Sequence, residues 1–303
     1  MPLATHDSVQ NFFCESVFLS LVEKLGVSQT RGLAKVGSGT TFTGFKGDWT
    51  GSSKKLPDAY VLQPNAAFPS IVCEAGWTEG HEELMNDARL WLLHTDGQTR
   101  IVIVVSFSES SVKHCLHASN HDPEEEHEEQ RHEGTCEEET VIDSQRTYND
   151  LADKLRDLDL ADKLRDLNQR DKLKQPLIGN LRATLHVYKA SDDGQDIEQA
   201  FEATLLPPPE VEEGGPTEFG VTMKDLLGDC LPEGRDPGDC IMFSLEGLRN
   251  HIGESIPHTE RVRAAHRAEN LLRAAGVWEE QETFAQSKRQ RLNPSRAKNY
   301  QDC

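Results

Sequence analysis

Apolar residues between 7 and 25 recur at helical spacing: Val9, Phe12, Phe13, Val17, Leu21 and Leu25. Asp7 is placed to cap this helix and Gly26 to end it. The pattern then changes. Residues 31–48 are rich in Gly and Thr, as in a strand with turns, and 57–64 is a short strand bounded by prolines. Residues 69–76 contain a buried strand whose apolar run is Ile71, Val72 and Cys73. Helical spacing returns from Thr78, a capping residue, to about His94, with Leu84, Ala88, Trp91 and Leu92 on one stripe. After a turn at Asp96-Gly97, the β-branched run of 99–108 is long enough for a central strand. Helix, strands, helix and strand in that order predict an α/β core with a mixed sheet.

The C-terminal half reads as more β-rich. Residues 181–190 and 197–209 form a predicted hairpin around Asp192-Asp193-Gly194. Residues 218–229 mix a short strand with a turn of helix, and 239–252 give a strand followed by a short helix. Thr259 begins a last predicted helix, with Val262, Ala265, Ala268, Leu271, Leu272 and Ala275 on one side. Beyond Trp278 the chain turns polar and basic.

Charge divides the chain further. The formal net charge over 303 residues is −20. Residues 1–113 carry 9 Lys and Arg against 12 Asp and Glu, whereas the 122–139 tract alone has 10 acids and one Arg. That tract has no packable apolar face, so 114–146 reads as a disordered acidic insertion. Its His and Cys residues match no compact zinc spacing. DLADKLRDL at 150–158 is repeated without change at 159–167. Nine helical residues turn through about 900°, so the leucines of the two copies face opposite ways. A duplicated connector accounts for this; a short coiled coil is the alternative. The predicted organisation is a core at 1–113, an insertion and connector at 114–176, a β-rich extension at 177–256 that completes or packs on the core, and a helix with a basic tail at 257–303.

Composition excludes several classes. No apolar run approaches the ~20 residues of a membrane span, and the N-terminus does not read as a signal peptide. Seven Cys without a repeated spacing read as reduced thiols, so an intracellular location, nuclear or cytoplasmic, is expected. The acidic balance argues against coating of DNA through phosphate charge alone. No dinucleotide fingerprint, P-loop, nucleophile elbow or paired CxxC is present.

The segment with candidate chemistry is Pro57-Asp58, then Glu74-Ala75-Gly76. Two acids on adjacent strands can converge on one side of a sheet. Mg2+ favours such a place, with one or two carboxylates and the remaining positions filled by water and phosphate. A bound ion would polarise a phosphoryl oxygen and acidify an attacking water, and a Lys would orient that water. The bland reading is that Asp58 and Glu74 only cap turns.

Lys55, Pro57, Asp58, Glu74, Gly76, Thr78, Glu79, Leu84, Asp87, Ala88 and Trp91 stand in the pattern Lys-x-Pro-Asp, strand ending Glu-x-Gly-x-Thr-Glu, helix with Leu-x-x-Asp-Ala-x-x-Trp, apolar strand. This pattern, over about residues 50–108, resembles the restriction-endonuclease-like PD-(D/E)xK superfamily, in particular a branch of largely uncharacterised fungal proteins. The resemblance implies a restriction-endonuclease-like mixed sheet flanked by helices, built as helix, three strands, helix and strand, and carrying here a β-rich C-terminal extension. It implies Asp58 and Glu74 as catalytic metal ligands, Mg2+ as cofactor and nucleic acid as partner. The Lys expected two residues after Glu74 is Gly76, which has no side chain to orient water. Lys54 or Lys55 would replace it if the preceding loop folds over the site, so Lys55 joins the catalytic candidates. Glu15 or Glu23 on the first helix would complete the metal site. Two function classes follow: a divergent Mg2+-dependent nuclease hydrolysing phosphodiesters, and a nuclease-fold binding or scaffold protein without catalysis. Oligomeric state is not legible.

Single residues carry competing readings. Trp77 would stack on a base or, more simply, pack at a strand-to-helix corner. Trp91 is expected in the core, Cys73 as an inert buried thiol, His81 as surface polar, and Asp87 as a partner of Arg89 or of a loop backbone. Lys288, Arg289, Arg291, Arg296 and Lys298 make a basic tail that suits nuclear import or a solvated end.

Overall fold

The computed structural model describes residues 4–49, 53–77, 81–110, 178–209 and 215–274. The acidic tract, the duplicated connector, the Thr78 cap, Glu79 and the basic tail lie outside the described residues. In chain order the elements are helices α1 (Ala4–Leu25) and α2 (Val27–Leu33), then strands β1 (Lys35–Gly37), β2 (Phe42–Thr43), β3 (Lys54–Lys55), β4 (Ala59–Leu62) and β5 (Ile71–Gly76). Helix α3 (His81–Leu93) and strands β6 (Ile101–Ser110), β7 (Asn180–Ala190), β8 (Ile197–Leu206) and β9 (Glu218–Thr222) follow. Helix α4 (Met223–Leu227), strand β10 (Cys240–Ser244) and helix α5 (Leu245–Ala274) complete the described chain. The chain divides into one unit of 1–114 with 175–260 and another of 115–174 with 261–303. In the second unit the described residues are the end of α5.

The first unit is built on a six-stranded mixed sheet in the order β1-β4-β5-β6-β7-β8. Strands β5 and β6 are parallel, and every other neighbouring pair is antiparallel. A parallel pair needs a crossover, which α3 supplies. Alternation along β5 and β6 sends Ile71, Cys73, Ala75, Ile101, Ile103 and Val105 to one face and Val72, Val102 and Val104 to the other. The first face is covered by α1 through Val9, Phe12, Phe13, Val17, Leu21 and Leu25, all buried as the helical stripe predicts. The second is covered by α3 through Leu84, Ala88 and Trp91. Burial of each such side chain contributes about 1.5–3 kcal/mol. Because both faces of β5 are covered, all six of its residues are buried, and this is why it reads as a run rather than an alternation.

The hairpin expected at 181–209 forms as β7 and β8 and joins the main sheet beside β6. Strands β9 and β10 make a separate antiparallel pair. Phe243 of β10 stacks on Phe13 of α1 at 5.9 Å and on Phe219 of β9 at 4.8 Å. Thr222 caps α4 by accepting from Asp225 N at 3.0 Å.

Two expectations change. Helix α1 starts at Ala4, so Asp7 lies in its first turn rather than at its cap. The short helix and the helix expected from Thr259 are one element, α5, with Pro257 inside it. Pro removes a backbone donor and is read as a break. Here tertiary contacts on both sides of Pro257 override it. Leu245, Leu248 and Ile252 are buried before it, and the Thr259 hydroxyl meets that of Thr5 at 2.7 Å after it.

Candidate active site

Asp58 immediately precedes β4, and the pairing of Ala59 with Cys73 sets it beside Glu74 on the neighbouring strand. Asp58 Oδ2 accepts the backbone N–H of Ala75 at 2.7 Å. It also lies 3.2 Å from His6 Nε2, which reaches it from the first turn of α1. The other ring nitrogen of His6, Nδ1, is 3.3 Å from Asp7 Oδ1. The hydrogen bond to Asp58 raises the His6 imidazolium from 6.5 to about 9, against the opposing effect of partial burial.

Glu74 points to the α3 face. Its Oε1 accepts the indole N–H of Trp91 at 2.8 Å. The residue is only 5% exposed. Burial pushes its carboxyl up from 4.5 to about 8; the charges of Asp58 and Asp87 add to this, while the Lys55 ammonium and the Trp91 bond oppose it. Glu74 is therefore protonated near neutral pH in the metal-free chain.

Lys55 arrives by the route its position in sequence suggests. Strand β3 pairs with β2, with Phe42 opposite Lys55 and Thr43 opposite Lys54. That short hairpin is fastened to the end of α3 by the bond from Lys46 N to His94 O at 2.9 Å. It lays the Lys55 ammonium against the Asp87 carboxylate of α3, where its charge is felt by Glu74. Asp87 thus pairs with Lys55, and Arg89 on the other flank of α3 lies 3.7 Å from Asp196.

The position of the expected Lys is closed. A Cβ on Gly76 would lie 2.8 Å from Leu84 Cδ1 and 3.1 Å from Leu84 Cγ, so the buried Leu84 side chain fills the space.

Glu74 thus feels the charges of both Asp58 and Lys55, whereas Glu15 is exposed along α1 and Glu23 is exposed near its end. Among the described residues no three of His, Cys, Asp and Glu gather into a metal-holding group. The first helix sends His6 to the site instead, a residue with no local signal in sequence because its partner is 52 positions away. Mg2+ is held in many sites by one or two carboxylates with water completing the octahedron. Asp58 and Glu74 meet that minimum, provided Glu74 gives up its proton.

The side chain of His81 lies outside the described residues, and Trp77, Trp91 and Cys73 resolve towards packing. Trp77 stacks on Phe107 at 5.2 Å. Trp91 is fully buried, but it is also the donor to Glu74, a role its place in the apolar stripe does not reveal. Burial pushes the Cys73 thiol well above its ordinary range, which makes it inert. No helix among the described residues is long and apolar enough to cross a membrane. No known protein family, curated protein or solved structure matches the chain.

Proposed function

We propose that the chain is a divergent PD-(D/E)xK nuclease-like protein of the nucleus or cytoplasm that hydrolyses phosphodiester bonds of nucleic acid with Mg2+, using Asp58, Glu74 and Lys55. The observation that carries this reading is the convergence of Lys55, from β3, on the acidic pair that β4 and β5 hold side by side. An ammonium supplied from another element stands in for the side chain that Gly76 lacks. The order α1, three strands of the main sheet, α3 and β6 also supports it.

The residues have separable tasks. Asp58 and Glu74 would hold the ion, which when bound polarises a phosphoryl oxygen and acidifies water. Trp91 fixes the orientation of the Glu74 carboxyl from beneath. Asp87 keeps the Lys55 ammonium beside the site, where it balances negative charge that grows on phosphate as water attacks. His6 and Lys55 supply positive charge to the acidic cluster in the metal-free chain.

A second reading, a nuclease-fold binding or scaffold protein without hydrolysis, is favoured by the burial of Glu74 and by Leu84 filling the space beside Gly76. One assay separates the two. The full chain is incubated with end-labelled single-stranded DNA, duplex DNA and RNA in millimolar Mg2+ or Mn2+. Metal-dependent cleavage that is lost in Asp58→Asn and in Lys55→Met supports hydrolysis. Retention of a labelled strand by folded protein without cleavage supports the binding reading and overturns the first.

A further inference from the structure

The hairpin that delivers Lys55 also presents an aromatic ring and two lysines to water. It is seated on α3 by Phe42 of β2 and, just beyond it, Phe45, whose rings meet Trp91 at 5.7 Å and 5.2 Å. Phe42 is paired with Lys55, which reaches Asp87 of α3, whereas Thr43 and Lys54 form the next pair and are exposed. Between the two strands the chain makes a single helical turn at Gly47–Trp49. That turn is fixed at its start. Gly47 has φ 65°, and a Cβ there would lie 3.1 Å from His94 Nδ1, so the backbone passes close over the end of α3.

Trp49 rests against the His94 ring at 6.4 Å between centroids, yet it is 45% exposed. The indoles of Trp77 and Trp91 are committed, one to Phe107 and the other to Glu74. An exposed indole on a fixed turn offers a flat face at little cost in ordering. Unpaired nucleic acid bases stack on such faces, and the stacking tolerates any base. Charge points the same way. Residues 26–57 hold five Lys and Arg against one acid, Asp48, in a chain whose net charge is −20. Lys46 lies 3.5 Å from Asp96 with both side chains more than half in water, so that pair is weak and leaves the ammonium able to meet a phosphate.

The surface is also placed for the candidate site. His94 continues α3 through its backbone N–H bond to Leu90 O at 3.2 Å. Lys55 stands at Asp87 and Trp49 at His94, positions two turns apart on one face of the helix and about 10 Å along its axis.

We propose that this hairpin and its turn are a landing surface for an unpaired nucleic acid strand, with a base stacked on Trp49 and phosphates held by Lys46 and Lys54. The substrate of the proposed site is then single-stranded. This rests on the nuclease reading above. A duplex keeps its bases paired and offers Trp49 no face, and the net charge of the chain leaves only a local contact with phosphate.

Fluorescence anisotropy of a labelled oligothymidylate with the full chain, free of metal, tests this, with the same strand annealed to oligoadenylate as the duplex arm. The single strand is expected to bind more tightly than the duplex. Trp49→Ala is expected to weaken binding of the strand about tenfold, within the range for one stacked base, and Trp49→Phe to recover part of it. Lys46→Ala and Lys54→Ala are each expected to lower the slope of log affinity against log salt by about 0.7. Phe18→Ala, which alters another exposed aromatic on α1, is expected to bind as the unsubstituted chain does. Equal binding by Trp49→Ala, duplex bound as tightly as the strand, or no binding at low salt overturns the proposal. Adding Mg2+ separates it from the reading it rests on. Cleavage that Trp49→Ala leaves unchanged keeps hydrolysis and overturns the surface. Binding that depends on Trp49, without cleavage, keeps the surface and overturns hydrolysis. Circular dichroism of each variant checks that it is folded.

Discussion

The indole Nε1 of Trp91 donates to Oε1 of Glu74 at 2.8 Å, joining helix α3 to strand β5 in a place where neither side chain meets much water. A core tryptophan and a candidate ligand are thus one hydrogen-bonded unit. Trp91→Phe keeps the ring in the apolar stripe and removes the donor. The expected cost is about 1–3 kcal/mol, because a buried carboxyl loses its partner. Urea denaturation at neutral pH measures it, and a change within error would show that the bond contributes nothing net.

The proton on Glu74 makes stability depend on pH in a defined direction. Below 4.5 the carboxyl is protonated in folded and unfolded chains alike. Between 4.5 and about 8 the unfolded chain has released its proton while the folded chain keeps it, so stability falls as pH rises. The slope is at most ~1.4 kcal/mol per pH unit, and above about 8 the full penalty applies. Glu74→Gln carries no charge to bury. It is expected to be more stable than the unsubstituted chain at pH 8 and similar to it at pH 4.5, provided metal is excluded. Parallel slopes for the two proteins from pH 5 to 8 would contradict this.

The His6–Asp58 pair acts in the same direction over an overlapping window. A histidine raised from 6.5 to about 9 stabilises the fold fully below 6.5, and that contribution is lost as pH rises through about 9. His6→Gln is expected to flatten the stability profile between pH 6.5 and 9. Titration of the His6 ring protons by NMR reads the same shift directly.

Gly76 is set by packing as much as by chemistry. Adding the Lys that the motif lacks is expected to displace Leu84 and lower stability by about 1–3 kcal/mol, as overpacking does. No gain in hydrolysis is expected from that change, because Lys55 already supplies the ammonium in the proposed site. Combining Gly76→Lys with Leu84→Ala gives the lysine room, so the double variant should lose less than the sum of the two single losses. Strict additivity in thermal melts would show that the two positions do not compete for space.

Much of the scaffold was legible because its signals are local. The stripe Val9 to Leu25 and the stripe Leu84 to Leu92 follow helical spacing, and both are buried. The turn at Asp96-Gly97 was legible too, since both residues adopt positive φ, 54° and 71°, which those residue types tolerate. The site was legible in part. Asp58, Glu74 and Lys55 stand out by motif, and Glu74 lies within reach of the charges of the other two. Glu15 did not join them, because helical phase leaves it exposed while residues 12, 13 and 17 turn to the sheet. His6 and the continuation of α5 through Pro257 were hidden for one reason. Each depends on contacts distant in sequence, His6 with Asp58 and Thr5 with Thr259.

The central claim is that Asp58 and Glu74 form a divalent-ion site. Thermal melting with and without millimolar Mn2+ tests it most directly, because a ligand that binds only the folded state raises its melting temperature by mass action. The expected result is a rise of several degrees in the unsubstituted chain and none in Asp58→Asn, with the metal-free Asp58→Asn protein still folded. An unsubstituted chain whose midpoint ignores Mn2+, or an Asp58→Asn variant that gains as much as the unsubstituted one, would contradict it.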